Sequence, residues 1–198
     1  MSRIPHPVRL EGKLVRLEPL AEKHFAELLK AGAHQEIWAH LPLDGTDEQK
    51  LTTELKNALL HRNSGSQYPF VIIALHDQKI IGSTCLMEIF TEHKKVEIGW
   101  TWYHPGVWGK GYNLECKLLL LSWCFEILRL NRVQLKTRDT NRRSPAAIQK
   151  VGGVFEGILR KDRIMPDGEV RDTIVFSIIR EEWPEARAAL EAKLAPFT

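Results

Sequence analysis

The segment from Trp108 to Tyr112, with the sequence WGKGY, has residue types suited to binding an anion. Its two glycines stand directly before a long apolar segment that predicts a helix extending to about Arg129. The first backbone N–H groups of a helix have no partner within the helix, and the helix dipole favours negative charge at that end. We therefore predict an anion-binding turn, the alternative being a glycine turn that only begins a helix.

Two common phosphate-binding patterns do not fit this turn. A P-loop requires Ser or Thr directly after its lysine, whereas Lys110 is followed by Gly111. A dinucleotide-binding fingerprint requires a third glycine or alanine at the position that Leu114 occupies. Neither pattern therefore explains the turn.

Glu97 is a candidate general base just upstream of the turn. It lies in the segment from Val96 to Tyr103, whose alternation of residue types predicts a strand. By the period of two, Glu97 shares a strand face with Gly99, Thr101 and Tyr103, which would let its carboxylate reach a cleft and accept a proton. The alternative is a solvent-facing or ion-paired strand glutamate.

The histidine and cysteine residues indicate function less clearly. His104 follows the predicted strand and is a second candidate base, because the pKa of histidine lies near neutral pH. The eight histidines show no ligand spacing with the three cysteines, so we predict no metal site. Cys85, Cys116 and Cys124 are odd in number and lie in apolar segments, which indicates buried free thiols in a reducing compartment.

The overall composition is that of a soluble globular protein. A chain of 198 residues suffices for one well-buried core and is short for two, so we expect a single domain over residues 1–198. The formal charge of +3 is small and its basic residues are interspersed with acidic ones, which favours neither nucleic acid nor a membrane as a partner. The N-terminus lacks an apolar signal core, so we predict a cytoplasmic location without a membrane span.

The elements that must position these groups follow from the hydrophobic periodicity. Strands are predicted at Lys13 to Leu20, Tyr68 to Leu75, Ile80 to Ile89, Lys95 to Tyr103, Arg132 to Thr137, Val154 to Ile164 and Val170 to Ile179, the last two joined by a turn at Pro166-Asp167-Gly168. Helices are predicted at Ala21 to Ala31, Thr46 to Arg62, Tyr112 to Arg129, Ser144 to Val151 and Glu181 to Leu194. The helical crossover between two of the strands implies one parallel pair within a mixed α/β sheet.

The long helix after the glycine turn has a narrow polar stripe. Glu115, Ser122, Glu126 and Arg129 recur at steps of seven, four and three residues, which places them near one face. The rest of that helix is apolar, and we expect it to be buried against a sheet.

The element order and three local motifs resemble the GNAT (general N-acetyltransferase) superfamily, in its branch of Rim-type ribosomal-protein N-terminal acetyltransferases. The resemblance extends from about Gly12 to Trp183. Its motif residues are Glu97-Ile98-Gly99 leading to Trp108-Gly109-Lys110-Gly111-Tyr112, then Asn141, Ser144, Lys150 and Gly152, and finally Arg171-Asp172-Thr173 before Glu182-Trp183. The chain departs from the family pattern at Asn113, Leu114 and Gly153.

The resemblance implies a mostly antiparallel central sheet flanked by helices, with a splayed parallel strand pair that holds acetyl-CoA as a co-substrate. Backbone amides from Gly109 to Asn113 would hold its pyrophosphate, and the pantetheine arm would lie between the splayed strands. The implied cofactor-binding residues are Trp102, Tyr103, Trp108, Gly109, Lys110, Gly111, Tyr112, Asn113, Asn141, Ser144 and Lys150. The implied catalytic residues are Glu97 as the base and Ser144 as the acid, with Tyr103 as a second candidate acid and a helix cap as the alternative role of Ser144.

The implied activity is direct transfer of an acetyl group to a primary amine within a ternary complex. The α-amine of a peptide or protein N-terminus fits a distant base, because its reference pKa of about 7.7 to 8.0 lies well below that of lysine at about 10.4. A small-molecule amine, such as an antibiotic or a polyamine, is the alternative acceptor, and a non-catalytic acyl-CoA-binding module is the alternative function. The resemblance leaves open a monomer or a homodimer. The segment from Gly32 to Gly45 is a candidate mobile acceptor-side loop, the alternative being ordinary packing.

Overall fold

The computed structural model describes residues 4–165 and 168–198, so Pro166 and Asp167 of the predicted turn lie outside the described part of the chain. The strands in that part are β1 Leu10–Glu11, β2 Val15–Pro19, β3 Tyr68–Ala74, β4 Ile80–Phe90, β5 Lys95–Tyr103, β6 Arg132–Arg138, β7 Val154–Ile164 and β8 Val170–Ile179. The helices are α1 Phe25–Gly32, α2 Gln35–Trp38, α3 Glu48–Ser64, α4 Tyr112–Ser122, α5 Arg143–Lys150 and α6 Trp183–Leu194. The strands form one sheet in the order β1-β2-β3-β4-β5-β6-β8-β7.

The sheet is antiparallel at every pairing between described strands except one. Residues Lys95–Glu97 of β5 pair in parallel with residues Arg132–Gln134 of β6, and α4 provides the crossover between these strands. A parallel connection of this kind needs such a helix, because a short turn cannot return the chain to the same end of the sheet. The predicted mixed, mostly antiparallel sheet with one parallel pair is confirmed.

Helices cover both faces of the sheet. Alternate residues of β3 point to opposite sides, so that Phe70 and Ile72 join one core cluster and Val71 and Ile73 join another. The first cluster includes apolar residues of α4 and α6, and the second includes residues of α1 and α3. We call these the α4 face and the α1 face. Burial on both faces explains why β3 is apolar throughout.

A bulge in β5 changes which residues share a face. Gly99 is paired with Cys85 and Trp102 with Ser83, so β5 contains one more residue than β4 between these two pairs. Within this bulge, Trp100 has a positive φ of 48°. Trp102 therefore points to the α1 face, as Glu97 does, and Tyr103 joins the core on the α4 face. The prediction that Glu97 and Tyr103 share a face is wrong because period-two counting fails across a bulge.

The helix after the glycine turn is shorter and less regular than predicted. The α-helical part ends at Ser122, and residues Trp123–Ile127 continue as a π-helical turn. The predicted polar stripe is wrong for Glu115, which is buried, and its carboxylate accepts hydrogen bonds from the backbone N–H groups of Lys13, Leu14 and Val15 at 2.7 Å each. Glu115 thus fixes the turn between β1 and β2.

The remaining differences concern where elements begin and end. The helix α3 begins at Glu48 rather than at the predicted Thr46, and Asp47 caps it by accepting from the N–H groups of Gln49 and Lys50. The segment from Gly32 to Gly45 contains the short helix α2. No helix in the described part of the chain is both long and apolar enough to cross a membrane.

Candidate functional site

The main cleft opens where β5 and β6 separate. Their ladder stops after Glu97 and Gln134, and beyond it a cleft of about 540 Å³ lies between Trp100–Tyr103 of β5 and Leu135–Arg138 of β6. Along this gap β5 still pairs with β4 on one side, but its edge facing β6 is not paired with any described strand. An extended ligand could add to that edge through main-chain hydrogen bonds.

The glycine turn forms one end of the cleft. Gly109 and Gly111 have φ values of 76° and 82°, in the left-handed region that glycine tolerates best. A Cβ at Gly109 would meet no described heavy atom within 4 Å, whereas one at Gly111 would lie 2.7 Å from the Phe197 ring. The turn is therefore open on the Gly109 side and packed on the Gly111 side.

The first turn of α4 supplies hydrogen-bond donors to this end of the cleft. Tyr112, Asn113 and Leu114 all line the cleft, and their N–H groups belong to the first helical turn, where no intrahelical acceptor exists. Such donors, together with the positive end of the helix dipole, are suited to binding a phosphate-like anion. Lys110 also lines the cleft and adds positive charge.

Trp108 joins the glycine turn to the opposite wall. Its indole Nε1 donates to the backbone oxygen of Tyr103 at 3.0 Å, and the Arg143 guanidinium lies over its ring at 4.5 Å from the centroid. Arg143 is the first residue of α5. This contact therefore links the segment that leads into the glycine turn to α5.

The α5 wall contains three of the predicted site residues. Asn141, Ser144 and Lys150 all line the cleft. The Asn141 side-chain oxygen accepts from the Ser144 N–H at 3.2 Å, so Asn141 provides the cap that the sequence suggested for Ser144. The Ser144 hydroxyl makes no hydrogen bond to any described residue, which leaves it available to a ligand.

Glu97 lies at the point where the strands part, within an ionic network. Its side chain is buried, and Oε2 lies 2.9 Å from Lys136 Nζ and 3.4 Å from Gln134 Nε2. Lys136 Nζ also lies 2.9 Å from Glu88 Oε1. Burial lowers the pKa of Lys136, but its hydrogen bonds to Glu97 and Glu88 outweigh burial, so that its pKa is raised. Lys136 therefore stays charged beside the Glu97 carboxylate.

Two other predicted proton-transfer groups have different surroundings. Tyr103 lines the cleft, but its hydroxyl is buried near the Cys116 thiol and has no described hydrogen-bond partner. Burial raises its pKa well above the ordinary value. His104 is not among the described residues that line the cleft, and its Nδ1 accepts from the Gly106 N–H at 3.0 Å.

Lys117 is a site residue that sequence reasoning missed. It lines the cleft from α4, is 6% exposed, and its Nζ donates to Thr101 Oγ1 at 2.8 Å. Thr101 Oγ1 in turn lies 2.8 Å from Thr84 Oγ1. Burial lowers the pKa of Lys117. Its signal in the sequence is a single lysine inside an apolar helical run.

Sequence reasoning also missed a basic cluster at the ends of β6, β7 and β8. Arg138, Arg163 and Arg171 line the cleft, although they are distant from one another in the sequence. The short helix α2 and the residues after it, including His40, line the same cleft. No group of three or more His, Cys, Asp or Glu side chains within residues 4–165 and 168–198 is placed to hold a metal ion.

Comparison with known proteins identifies the family to which this architecture corresponds. The family described as "Acetyltransferase (GNAT) domain" matches residues 15–154. A GCN5-related N-acetyltransferase from Brucella melitensis is 29% identical, with a TM-score of 0.89 over 97% of this chain and 87% of that chain. A protein of T. thermophilus described as a candidate acetyltransferase is 38% identical, with a TM-score of 0.85 over 96% of this chain and 99% of that one.

Curated relatives match over a shorter stretch. YdaF of Bacillus subtilis, described as a candidate ribosomal N-acetyltransferase, is 30% identical over 109 residues, which are 55% of this chain and 58% of YdaF. Two more distant chains share the fold. Mycobacterium smegmatis RimJ in complex with CoA-disulfide is 23% identical, with a TM-score of 0.78 over 94% of this chain and 92% of that chain. Vibrio cholerae spermidine N-acetyltransferase in complex with CoA and spermine is 19% identical, with a TM-score of 0.71 over 87% of this chain and 99% of that chain.

Proposed function

Because the chain belongs to the GNAT acetyltransferase family, we propose that it transfers the acetyl group of acetyl-CoA directly to the α-amine of a peptide or protein N-terminus. The observation that carries this proposal is the continuity of one cleft from the glycine turn to the gap between β5 and β6. Such a cleft has donors for phosphate at one end and an open strand edge for an amide-containing arm beyond it.

The groups that would bind acetyl-CoA follow from that cleft. The backbone N–H groups from Gly109 to Asn113 would hold the pyrophosphate, and the empty volume beside Gly109 leaves room for it. The pantetheine arm would pair with the free edge of β5 near Trp102 and Tyr103. Asn141 and Lys150, on the α5 wall, would complete the binding site.

Acetyl transfer requires an unprotonated amine, stabilisation of the carbonyl oxygen as it gains charge, and a proton for the departing thiolate. In the proposed mechanism Glu97 accepts the amine proton, directly or through water. Its carboxylate forms an ion pair with Lys136 at 2.9 Å. An acceptor α-amine suits such a base better than a lysine side chain does, because the α-amine loses its proton more readily.

The remaining two tasks fall to β5 and α5. A backbone N–H of β5 near Trp102 would donate to the carbonyl oxygen as the amine attacks. We favour Ser144 over Tyr103 as the proton donor to the thiolate, because the Ser144 hydroxyl is free of described partners and the Tyr103 hydroxyl lies near Cys116 beneath α4. The carbonyl then re-forms as the carbon–sulfur bond breaks, giving the amide and CoA thiol.

Calorimetric titration with acetyl-CoA tests the cofactor site. Gly109→Ala should weaken binding about tenfold or more, because a φ of 76° strains alanine and shifts the donors of the turn. Gly157→Ala is the matched control, because a Cβ there also meets no described atom within 4 Å but needs no positive φ. Equal binding by all three proteins, or no binding by the wild type, would refute the assignment of the turn.

The acceptor is tested by following CoA thiol release with N-terminal peptides, spermine and aminoglycosides as separate substrates. Turnover with peptides alone would support the proposed acceptor. Turnover with only a small amine would replace it with the small-molecule alternative. Tight acetyl-CoA binding with no turnover across the panel would favour a non-catalytic acyl-CoA-binding module.

A further inference from the structure

The basic cluster at the ends of β6, β7 and β8 lies on a single face of the sheet. Arg138 of β6 is paired with Thr173 of β8, and Arg163 of β7 with Arg171 of β8. Arg171 and Thr173 are two residues apart and therefore point to the same side. The alternation of β6 places Arg138 on the α1 face, together with Glu97.

The cluster contains polar atoms that the described residues leave unsatisfied. Arg138 Nε, Arg171 Nε and Thr173 Oγ1 are buried without a hydrogen-bond partner in the described part of the chain. Thr173 is 1% exposed. Buried polar atoms are nearly always paired in folded proteins, so three orphans in one place indicate a missing ligand.

The positive charge of the cluster is incompletely neutralised. Arg138 forms an ion pair with Glu169, and Arg163 Nε lies 3.7 Å from Asp162 Oδ2. Arg171 has no ion-pair partner within 4.0 Å among residues 4–165 and 168–198. Like charges directly opposite one another in a sheet are destabilising, as Arg163 and Arg171 are here.

The pKa of Arg171 agrees with this picture. Burial lowers it, and the charges of Arg163 and Arg138 lower it further, against the opposing influence of Asp162 and Asp139. An arginine stays protonated in proteins, so the shift means that its charge is poorly compensated. A bound anion would remove that penalty.

The cluster is placed on the acceptor side rather than the phosphate side. Gln134 is level with Glu97 in the parallel pair, so Arg138 lies about 13 Å further along β6, beyond the point where the two strands separate. The glycine turn leads into α4, which packs on the opposite face of the sheet. An anion bound by Arg138 and Arg171 would thus lie on the same side as Glu97.

We infer that Arg138 and Arg171 bind a carboxylate that the acceptor carries close to its reacting amine. The substrate class is therefore an amine with an adjacent acidic group, such as a peptide with an acidic side chain near its N-terminus. Arginine suits this task because its planar donors match the two oxygens of a carboxylate. This inference rests on the proposed function, since it concerns the acceptor half of the same cleft. A polyamine is the wrong partner for such a cluster.

The test compares two peptide amides, Ser-Glu-Ala-Ala-Tyr and Ser-Gln-Ala-Ala-Tyr, titrated by calorimetry into the protein saturated with CoA. The wild type should bind the glutamate peptide about tenfold more tightly than the glutamine peptide. Arg171→Gln and Arg138→Gln should remove that preference while retaining the affinity for CoA. Arg160→Gln, an exposed arginine of β7, is the matched control and should keep it.

Free glutamate, as a third ligand, distinguishes an α-carboxylate from a side-chain carboxylate. Tighter binding of free glutamate than of the glutamate peptide would assign the cluster to a small amino acid. Equal affinity for both peptides, no binding of any of the three ligands, or an unchanged preference in Arg171→Gln would overturn the inference. Loss of CoA affinity in the arginine variants would also overturn the inference, because the cluster would then be part of the CoA-binding site.

The test also distinguishes a failure of the proposed acetyl transfer from a failure of the carboxylate site. If the wild type binds no CoA, the same peptide comparison is made on the protein alone. A tenfold preference for the glutamate peptide would then uphold the carboxylate site while the acetyl-transfer proposal fails.

Discussion

Glu97 and Lys136 form a 2.9 Å ion pair at the point where β5 and β6 separate. The pair therefore lies between the last ladder bonds of the parallel strands and the cleft that begins beyond them. Glu88 approaches the same lysine from β4 but is not among the described residues that line the cleft. The two glutamates share a partner and differ in access to the ligand.

Glu97→Gln should lower kcat by about 100-fold or more, since a positioned general base contributes roughly 10²–10⁴ in rate. Glu88→Gln is the control, because it removes the other carboxylate from Lys136 and should leave kcat within about threefold. Steady-state kinetics from pH 6 to 9 provide the measurement. Equal and small effects of both substitutions would assign Glu97 a purely structural role.

Arg143→Gln should weaken acetyl-CoA binding about three- to tenfold, because it removes the cation that holds the Trp108 ring beside the glycine turn. Arg142→Gln is the matched control, an exposed neighbour with no such contact among the described residues. The dissociation constants come from calorimetry. The same loss in both variants would indicate a general charge effect and refute the specific role of the Arg143 contact.

Glu115→Ala should lower the free energy of unfolding by about 2–4 kcal/mol, because three backbone donors lose a buried acceptor. Glu27→Ala, which removes an exposed glutamate of α1, should cost well under about 1 kcal/mol. Urea unfolding gives both values. A loss below about 1 kcal/mol for Glu115→Ala would contradict the role assigned to this side chain.

Lys117 predicts a pH dependence of stability. Its pKa is lowered in the folded state by burial, so the unfolded chain binds more protons between that lowered pKa and the reference value of 10.5. The free energy of unfolding therefore rises with pH through this window. Lys117→Met removes the titrating group and should stabilise the protein at neutral pH, on the order of 1–2 kcal/mol.

The advantage of Lys117→Met should shrink as the pH approaches 10.5. Urea unfolding of both proteins at about pH 7 and at about pH 10 measures this difference. The control is Lys56→Met, at an exposed lysine of α3. Its free energy of unfolding should differ from that of the wild type by the same amount at both pH values. A Lys117→Met effect that does not change with pH would contradict the assigned cause of the shift.

The local features of the site could be predicted from the sequence. The strand β5, the glycine turn and α4 follow one another without a break, and their signals are short-range: alternation, two glycines and an apolar helical run. The parallel pair also follows, because a helix between two strands leaves little other choice of topology. These features depend on backbone conformation over a few residues.

Only the tertiary structure decided the orientation of several side chains. The bulge at Trp100 moves Tyr103 to the α4 face, and nothing in the residue types of β5 marks the extra residue. Glu115 is buried although the sequence predicted it in a polar stripe, and Lys117 is buried although its side chain is charged. Their partners, the β1–β2 turn and Thr101, are brought to them by sheet pairing.

The arginine cluster shows most clearly what only the tertiary structure decided. In the sequence, Arg138 and Arg163 are ordinary charged residues, and Arg171 is a motif residue of the family resemblance without an assigned role. The net charge of +3 indicates no concentrated basic site. The registers of β6 with β8 and of β7 with β8 place them side by side. The sequence determined the element order and the glycine turn because local hydrogen bonding and periodicity encode them, whereas the cluster depends on long-range strand register, which no local pattern encodes.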